Sequence, residues 1–214
     1  MKKTFELLKT EDYLKFYKSL HDAKIANKHG CFVSLDRPDA YAIQKNFLLD
    51  DGVAGFSLAD GDLVAVHKNP ILAKQKGYNH IAGELLFIAI ENGANSLDCY
   101  GKFLTNMYMQ YGFLPTGKMK FDITYNPSWN TLIHGEPDVI AMCRAVKDVE
   151  ELMILRKNNK MQTYSQFKDL LPEYNDYMQM LDDRNKILKH IQNNNLSYFE
   201  ASSFIKEIIN ENQK

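Results

Sequence analysis

Two aspartate–glycine turn signals, Asp50-Asp51-Gly52 and Asp60-Gly61, bracket the short apolar runs Val53 to Leu58 and Leu63 to Val66. Runs this short, closed by residues that tolerate tight backbone reversal, predict an antiparallel hairpin rather than a helix. A sheet begun this way must bury at least one face, so neighbouring segments have to supply helices. The chain downstream has that pattern. Asn69-Pro70 stops the second strand, and a loop bearing lysines and a glycine follows. Ile81, Leu85, Ile88 and Ala89 then repeat at helical spacing up to Gly93. Leu97 to Tyr100 reads as a short strand, and Phe103, Leu104, Met107, Tyr108 and Tyr111 form another apolar helix face before Gly112. Lys118 to Tyr125 alternates apolar and polar residues as a half-buried strand does, and Val139 to Cys143 is a uniformly apolar last strand. The expected class is α/β, with a mixed, mostly antiparallel sheet flanked by helices.

Before the hairpin, Thr10-Glu11-Asp12 opens an amphipathic helix over about residues 11 to 28, which Gly30 closes. Cys31 to Leu35 reads as a buried strand, and Arg37-Pro38 starts a second helix that Phe47 ends. Beyond residue 147 the strand signal disappears, so a boundary is expected there, giving a domain over 1–147 and a helical extension over 148–214. Ser197 to Glu200 has capping-box spacing. Leu152, Ile154, Leu155, Leu170, Leu171, Tyr177, Met180, Leu181, Ile187, Leu188 and Ile191, with the stripe Phe204, Ile205, Ile208 and Ile209 behind the capping box, give the extension more apolar surface than a free helix tolerates. That surface is expected to pack on the chain's own core or on a second copy. Homo-oligomerisation through the C-terminal helices is the preferred expectation, because the strand-and-helix order ahead of it needs no further layer.

The formal charge of −1, from 26 basic and 27 acidic residues, gives no global field toward nucleic acid or an anionic membrane. No stretch approaches the roughly 18 apolar residues of a membrane span, and the N-terminus has no apolar run like that of a secretory signal. Three widely spaced cysteines, Cys31, Cys99 and Cys143, form neither a disulfide framework nor a CxxC metal site, so a reducing cytoplasm is the expected compartment. His21, His29, His134 and His190 have no metal-ligand spacing, and no metal is expected.

The order hairpin, loop, buried helix, strand, helix, strand, strand over about residues 53 to 145 resembles the core of the GCN5-related N-acetyltransferases. In that family an Arg/Gln-x-x-Gly-x-Gly/Ala loop and the following helix N-terminus hold the pyrophosphate of acetyl-CoA. The matching segment is Lys74-Gln75-Lys76-Gly77-Tyr78-Asn79, with Lys74 where the family prefers Arg or Gln and Asn79 where it prefers a small residue. A glycine lets backbone approach a phosphate, a helix N-terminus offers free N–H groups, and lysines add charge. The resemblance therefore implies cofactor contact at Lys74, Gln75, Lys76, Gly77, Tyr78, Asn79 and His80. It implies the same for Val66 and Lys68 at the end of the second hairpin strand. A second match is Met107-Tyr108-Met109-Gln110-Tyr111-Gly112-Phe113, similar to the family's Leu-Tyr-x-x-x-Gly-Phe. It implies that Tyr108 protonates the leaving thiolate of coenzyme A. Trp129-Asn130 and Gly135 to Val139 are also similar to acetyltransferase-like domains of phage and mobile-element proteins.

The implied activity is transfer of an acetyl or other acyl group from a coenzyme A thioester to an unknown amine by direct attack. Tyr108 is its acid, and His67, at the end of the strand facing the acyl group, is its base. Asp98 and Cys99 are further candidates for the reaction centre. Beside these roles stand plainer ones: a surface turn with solvated lysines at 74–79, a core tyrosine at 108 and a structural histidine at 67. With them stands an alternative for the whole chain, a non-catalytic scaffold of the same fold acting through its tail.

Overall fold

The structure is a computed structural model that describes residues 5–8, 10–49, 52–78, 81–127 and 129–211. Asp50 and Asp51 of the first turn signal lie outside these, as do Asn79 and His80. The chain divides into two compact units, Met1–Ala94 with Asn126–Trp129, and Asn95–Tyr125 with Asn130–Lys214. The helices beyond residue 147 belong to the second unit.

The first unit is a four-stranded antiparallel meander with three helices. Strand β1 (Phe5–Leu7) leads to helix α1 (Tyr13–Ala26), which buries Phe16, Leu20 and Ala23 on one face. Strand β2 (Lys45–Leu49) follows, then the expected hairpin, β3 (Ala54–Ala59) and β4 (Asp62–Lys68). The pairs run β1–β2, β2–β3 and β3–β4, all antiparallel. Helix α2 (Pro70–Gln75) comes next, and α3 (Ile81–Glu91) packs Ile81, Leu85, Leu86 and Ala89 into the core.

Three expectations fail in this unit, each for a local reason. Cys31 to Leu35 is not a strand: Lys24 Nζ donates to the carbonyls of Gly30 and Val33 at 3.1 and 2.7 Å, and Asn126 Nδ2 takes that of Cys31 at 2.6 Å. Gly30 does not cap α1 in the left-handed conformation; it is a glycine because a Cβ there would sit 2.0 Å from Lys24 O. The helix begun at Pro38 is a 3-10 turn that ends at Ile43, since Asn46 Nδ2 donates to Tyr41 O at 2.8 Å and Phe47 is claimed by β3. Phe47 stacks on its cross-strand partner Phe56 with centroids 4.6 Å apart.

The second unit contains β5 (Ser96–Tyr100), α4 (Gly101–Met109), β6 (Phe113–Met119), the one-turn α5 (Thr131–His134) and β7 (Val139–Arg144). The last strand lies between the other two, antiparallel to both. Strand β6 starts and stops earlier than the alternation at 118–125 suggests. Met119 pairs with Val139, the first residue of β7, so the ladder has no partner beyond it. Asp122 Oδ1 then accepts from Thr124 N at 2.8 Å and turns the chain into a 3-10 turn.

The extension supplies α6 (Val149–Lys157), the short β8 (Glu173–Tyr174), which pairs parallel with β6, α7 (Tyr177–Asn193) and α8 (Tyr198–Glu211). Helix α7 lies on β6 and β7 through Met180, Ile187, Leu188 and Ile191, and α8 reaches β6. Leu152, Leu155, Leu171, Ile205 and Ile209 are all buried. Those side chains are covered within the second unit, while Met153, Ile154, Met178 and Phe199 of the extension stay exposed. Both units join mostly antiparallel strands to flanking helices, the α/β class expected. No helix among the described residues is long and apolar enough to cross a membrane.

Candidate functional site

In the first unit the candidate residues gather around the end of β4 and the helix after it. Gly55 pairs with His67 and Ser57 with Val64, so Ala65 and Val66 together stand opposite Phe56. This is a β-bulge, and Ala65 pays for it with a left-handed φ of +52°. Such a bulge leaves part of the strand's backbone outside its ladder; Val66 lies in it and Lys68 just beyond it, both half-buried.

The bulge also aims His67 inward. The ring is 4% exposed, its Nδ1 lies 2.9 Å from Ala65 O and its Nε2 2.9 Å from Ser19 Oγ. Phe16 packs edge-on against it at 5.3 Å, and a Cβ on Gly55 would meet its Cε1 at 2.8 Å. Burial lowers its pKa from 6.5 to about 4, so the ring is neutral. The neutral tautomer that fits donates Nδ1–H to Ala65 O and accepts at Nε2 from Ser19, whose one hydroxyl proton also faces Gly52 O at 2.8 Å. Buried, and with its two nitrogens facing Ala65 O and Ser19 Oγ, His67 presents no nitrogen to a substrate. It is a peg between α1 and β4, and the role of base expected of it is corrected accordingly.

Lys74 and Gln75 are the last residues of α2, a helix the sequence reading took for loop. Asn69 caps it, accepting from Ile71 N and Leu72 N at 3.1 Å each, and Pro70 is its first residue. At its other end Gly77 N donates to Lys74 O at 3.2 Å and Tyr78 N to Ala73 O at 2.8 Å, with Gly77 at φ +71°. This is the Schellman arrangement, in which a left-handed glycine closes a helix. Lys76 N is likewise taken, by Leu72 O at 3.0 Å. The amides of Lys76, Gly77 and Tyr78 thus close α2, while the side chains of Lys74, Gln75 and Lys76 are exposed. The space beside Gly77 is open, with no atom within 4 Å of a built Cβ. Asn79 and His80, also expected at the cofactor, lie outside the described residues.

In the second unit the matching motif lies on α4. Two of its members have packing reasons: a Cβ on Gly112 would meet Val146 Cγ2 at 2.4 Å, and Phe113 is wholly buried. The hydroxyl of Tyr108 has no such reason. The residue is 8% exposed and its ring meets Phe113 edge-on at 6.3 Å, yet its oxygen makes no hydrogen bond to any described residue. Burial, and next the nearby Cys99 and Asp98, push its pKa well above 10 and keep it a donor.

Cys99 faces α4, with Sγ 3.6 Å from Thr105 Oγ1, and burial raises its thiol pKa to about 12, which removes it as a nucleophile. Asp98 alternates to the other face of β5, where Tyr177 donates to its Oδ1 at 3.1 Å. Sequence reasoning had no means of finding Tyr177, since 79 residues separate the pair. Among the described residues no group of three His, Cys, Asp or Glu side chains could hold a metal ion.

No protein-family profile and no curated protein matches this chain. Two solved structures are similar to it. A crystal structure provisionally described as a phosphinothricin N-acetyltransferase aligns with a TM-score of 0.42 and 14% identity, covering 67% of this chain and 98% of its own. The solution structure of apo YjaB from Escherichia coli aligns with a TM-score of 0.37 and 10% identity, covering 67% and 97%.

Proposed function

We propose that the chain transfers an acetyl or related acyl group from a coenzyme A thioester to an amine, with Tyr108 as the acid that protonates the leaving thiolate. The observation that carries this reading is the Tyr108 hydroxyl: carried on a buried ring, without a hydrogen-bond partner among the described residues and held protonated. A tyrosine kept only for packing gains nothing from an oxygen left this way, and a phenylalanine would fill the same space. The position agrees with the role, because Tyr108 opens the Tyr-x-x-x-Gly-Phe match whose glycine and phenylalanine are already explained by packing. Further support comes from the elements between Ala54 and Arg144, which follow the order hairpin, helix, strand, helix, strand, strand.

The exposed side chains of Lys74 and Lys76 are positive charges of the kind phosphates would meet. The chemistry needs no covalent intermediate. The amine attacks the thioester carbon, the C–S bond breaks, and the thiolate takes the phenolic proton.

A second reading, a non-catalytic scaffold of the same fold, is favoured by two observations: the amides of Lys76, Gly77 and Tyr78 are consumed by the end of α2, and His67 is closed to substrate. Thiol release from acetyl-CoA across a panel of primary amines separates the two. Acyl transfer predicts amine-dependent release that falls by ~10²-fold or more in Tyr108→Phe. No release with any amine, or equal rates in the variant, would exclude Tyr108 as the acid.

A further inference from the structure

We infer that the second unit carries a binding site for an organic ammonium ion, in the cavity where strands β6 and β8 end. The two strands are parallel, pairing Lys118 with Glu173 and Met119 with Tyr174. Beyond these pairs the chains part: β6 runs on toward the 3-10 turn at Ile123–Tyr125, and β8 passes through Asn175 into α7. Parallel strands that separate past their carboxyl ends leave a crevice there, the usual place for a ligand on such a sheet. Here it is an open cavity of about 440 Å³, a volume that suits a small molecule. All of its lining belongs to the second unit.

The aromatic wall is held in place before any ligand arrives. Tyr174 donates its hydroxyl to Asp183 Oδ2 at 3.2 Å, and Lys186 Nζ donates to the other oxygen of that carboxylate at 2.7 Å. The ring lies so close to β6 that a Cβ on Gly117 would meet its Cε2 at 2.7 Å. Phe121, edge-on to Tyr100 at 6.3 Å, is a second ring in the lining, and the buried Met119 adds apolar surface. Met119 packs with Met180 under α7. Cys99 faces α4 while its neighbour Asp98 faces α7, so α4 with Tyr108 covers the opposite face of the sheet. The cavity is therefore set apart from the proposed acid, whether or not the chain transfers an acyl group.

The charges choose the ligand. Lys120 lines the cavity, but its Nζ is held by Asp138 and Glu173, at 3.7 and 3.2 Å. Asp122 and Glu136 line it too, and no cation among the described residues pairs with either. Asp122 Oδ1 accepts from Thr124 N and Oγ1, at 2.8 and 2.7 Å, and these bonds lower its pKa and keep it ionised. One lysine thus stands among four carboxylates, and the local excess is negative. A bare metal ion does not fit, because no group of three His, Cys, Asp or Glu side chains among the described residues could hold one. An ammonium head on an apolar body does fit. Its N–H groups would meet Asp122, Glu136 and the side-chain oxygen of Asn175, and its body would lie on Tyr174 and Phe121.

The test uses the full chain with labelled methyl groups, phenethylammonium as the probe and no acyl-CoA. Binding in this cavity should shift the methyl signals of Met119 and Ile123 saturably at millimolar concentrations. Asp122→Asn and Glu136→Gln should each weaken binding about threefold, and together about tenfold, the scale of exposed charge pairs. Melting curves confirm that the variants fold. Lys120→Gln should tighten binding, because two carboxylates lose their cation. Phenethyl alcohol, with the same body and no charge, should bind the wild type as weakly as the ammonium binds the double variant. Unmoved Met119 and Ile123 signals, equal affinity for the alcohol, or undiminished binding by the double variant would overturn the inference while acyl transfer stands. A chain that binds the ammonium through these residues and transfers no acyl group would keep the site and lose the activity.

Discussion

Replacing His67 by glutamine should remove a pH-dependent part of the first unit's stability. The folded-state pKa is about 4 against a reference of 6.5, a depression of about 2.5 units. At roughly 1.4 kcal/mol per unit, the full difference is about 3.5 kcal/mol as an upper bound. The direction follows from which state binds the proton. Between pH 6.5 and 4 the unfolded chain holds it and the folded chain does not, so stability from this group is complete above pH 6.5 and drains away as pH falls toward 4.

Carboxylates titrate in the same window, but they are common to wild type and variant and cancel in the difference. At pH 7 the His67→Gln variant should be less stable by about 2 kcal/mol, from lost packing against Phe16 and imperfect bonds to Ser19 and Ala65. By pH 4 that gap should close or reverse. Urea unfolding followed by fluorescence suits the test, because the single tryptophan, Trp129, is buried in the same unit against Phe32 at 4.7 Å. A stability difference constant from pH 7 to 4 would refute the buried, neutral peg.

Other outcomes follow from the same geometry. Gly77→Ala should cost about 1 kcal/mol although nothing blocks a Cβ there, because the cost lies in the left-handed φ; a stabilised variant would mean that Gly77 does not cap α2. Lys24→Met should loosen the 30–33 segment, whose carbonyls lose their donor, and amide exchange there should rise while the hairpin's stays unchanged. A chain cut after residue 147 should bind a hydrophobic dye and aggregate, since β6 and β7 lose the cover of α7; a soluble, folded truncation would show that the extension is dispensable to the second unit.

The hairpin, α3, β5, α4 and β7 were legible because their apolar periods agree with their turn residues. Strand β6 was misplaced because the clean alternation lies at Lys118–Tyr125, whereas the strand runs through Pro115 and Gly117 with a bulge at Thr116, whose Oγ1 donates to Ala141 O at 3.2 Å. Helix α2 was hidden because Asn69-Pro70 is a strand stop and a helix start at once, and only the second meaning explains the two amides that Asn69 caps. The place of Tyr108 on α4 could be read from the sequence, since a helix and a following Gly-Phe fix it locally. The closure of His67 could not, because it depends on Ser19, 48 residues earlier. In the extension the apolar repeat was plain, but a sequence does not say which surface covers it. The strands it lies on are its own unit's.

Calorimetric titration of the full-length chain with acetyl-CoA, beside Lys74→Glu/Lys76→Glu, tests the central claim most directly. The proposed function predicts one-to-one binding by the wild type. It also predicts stabilisation of about 2.7 kcal/mol at a hundred times Kd, and at least tenfold weaker binding when both lysines are reversed. No heat and no change in melting temperature at millimolar acetyl-CoA would contradict it and leave the scaffold reading in its place.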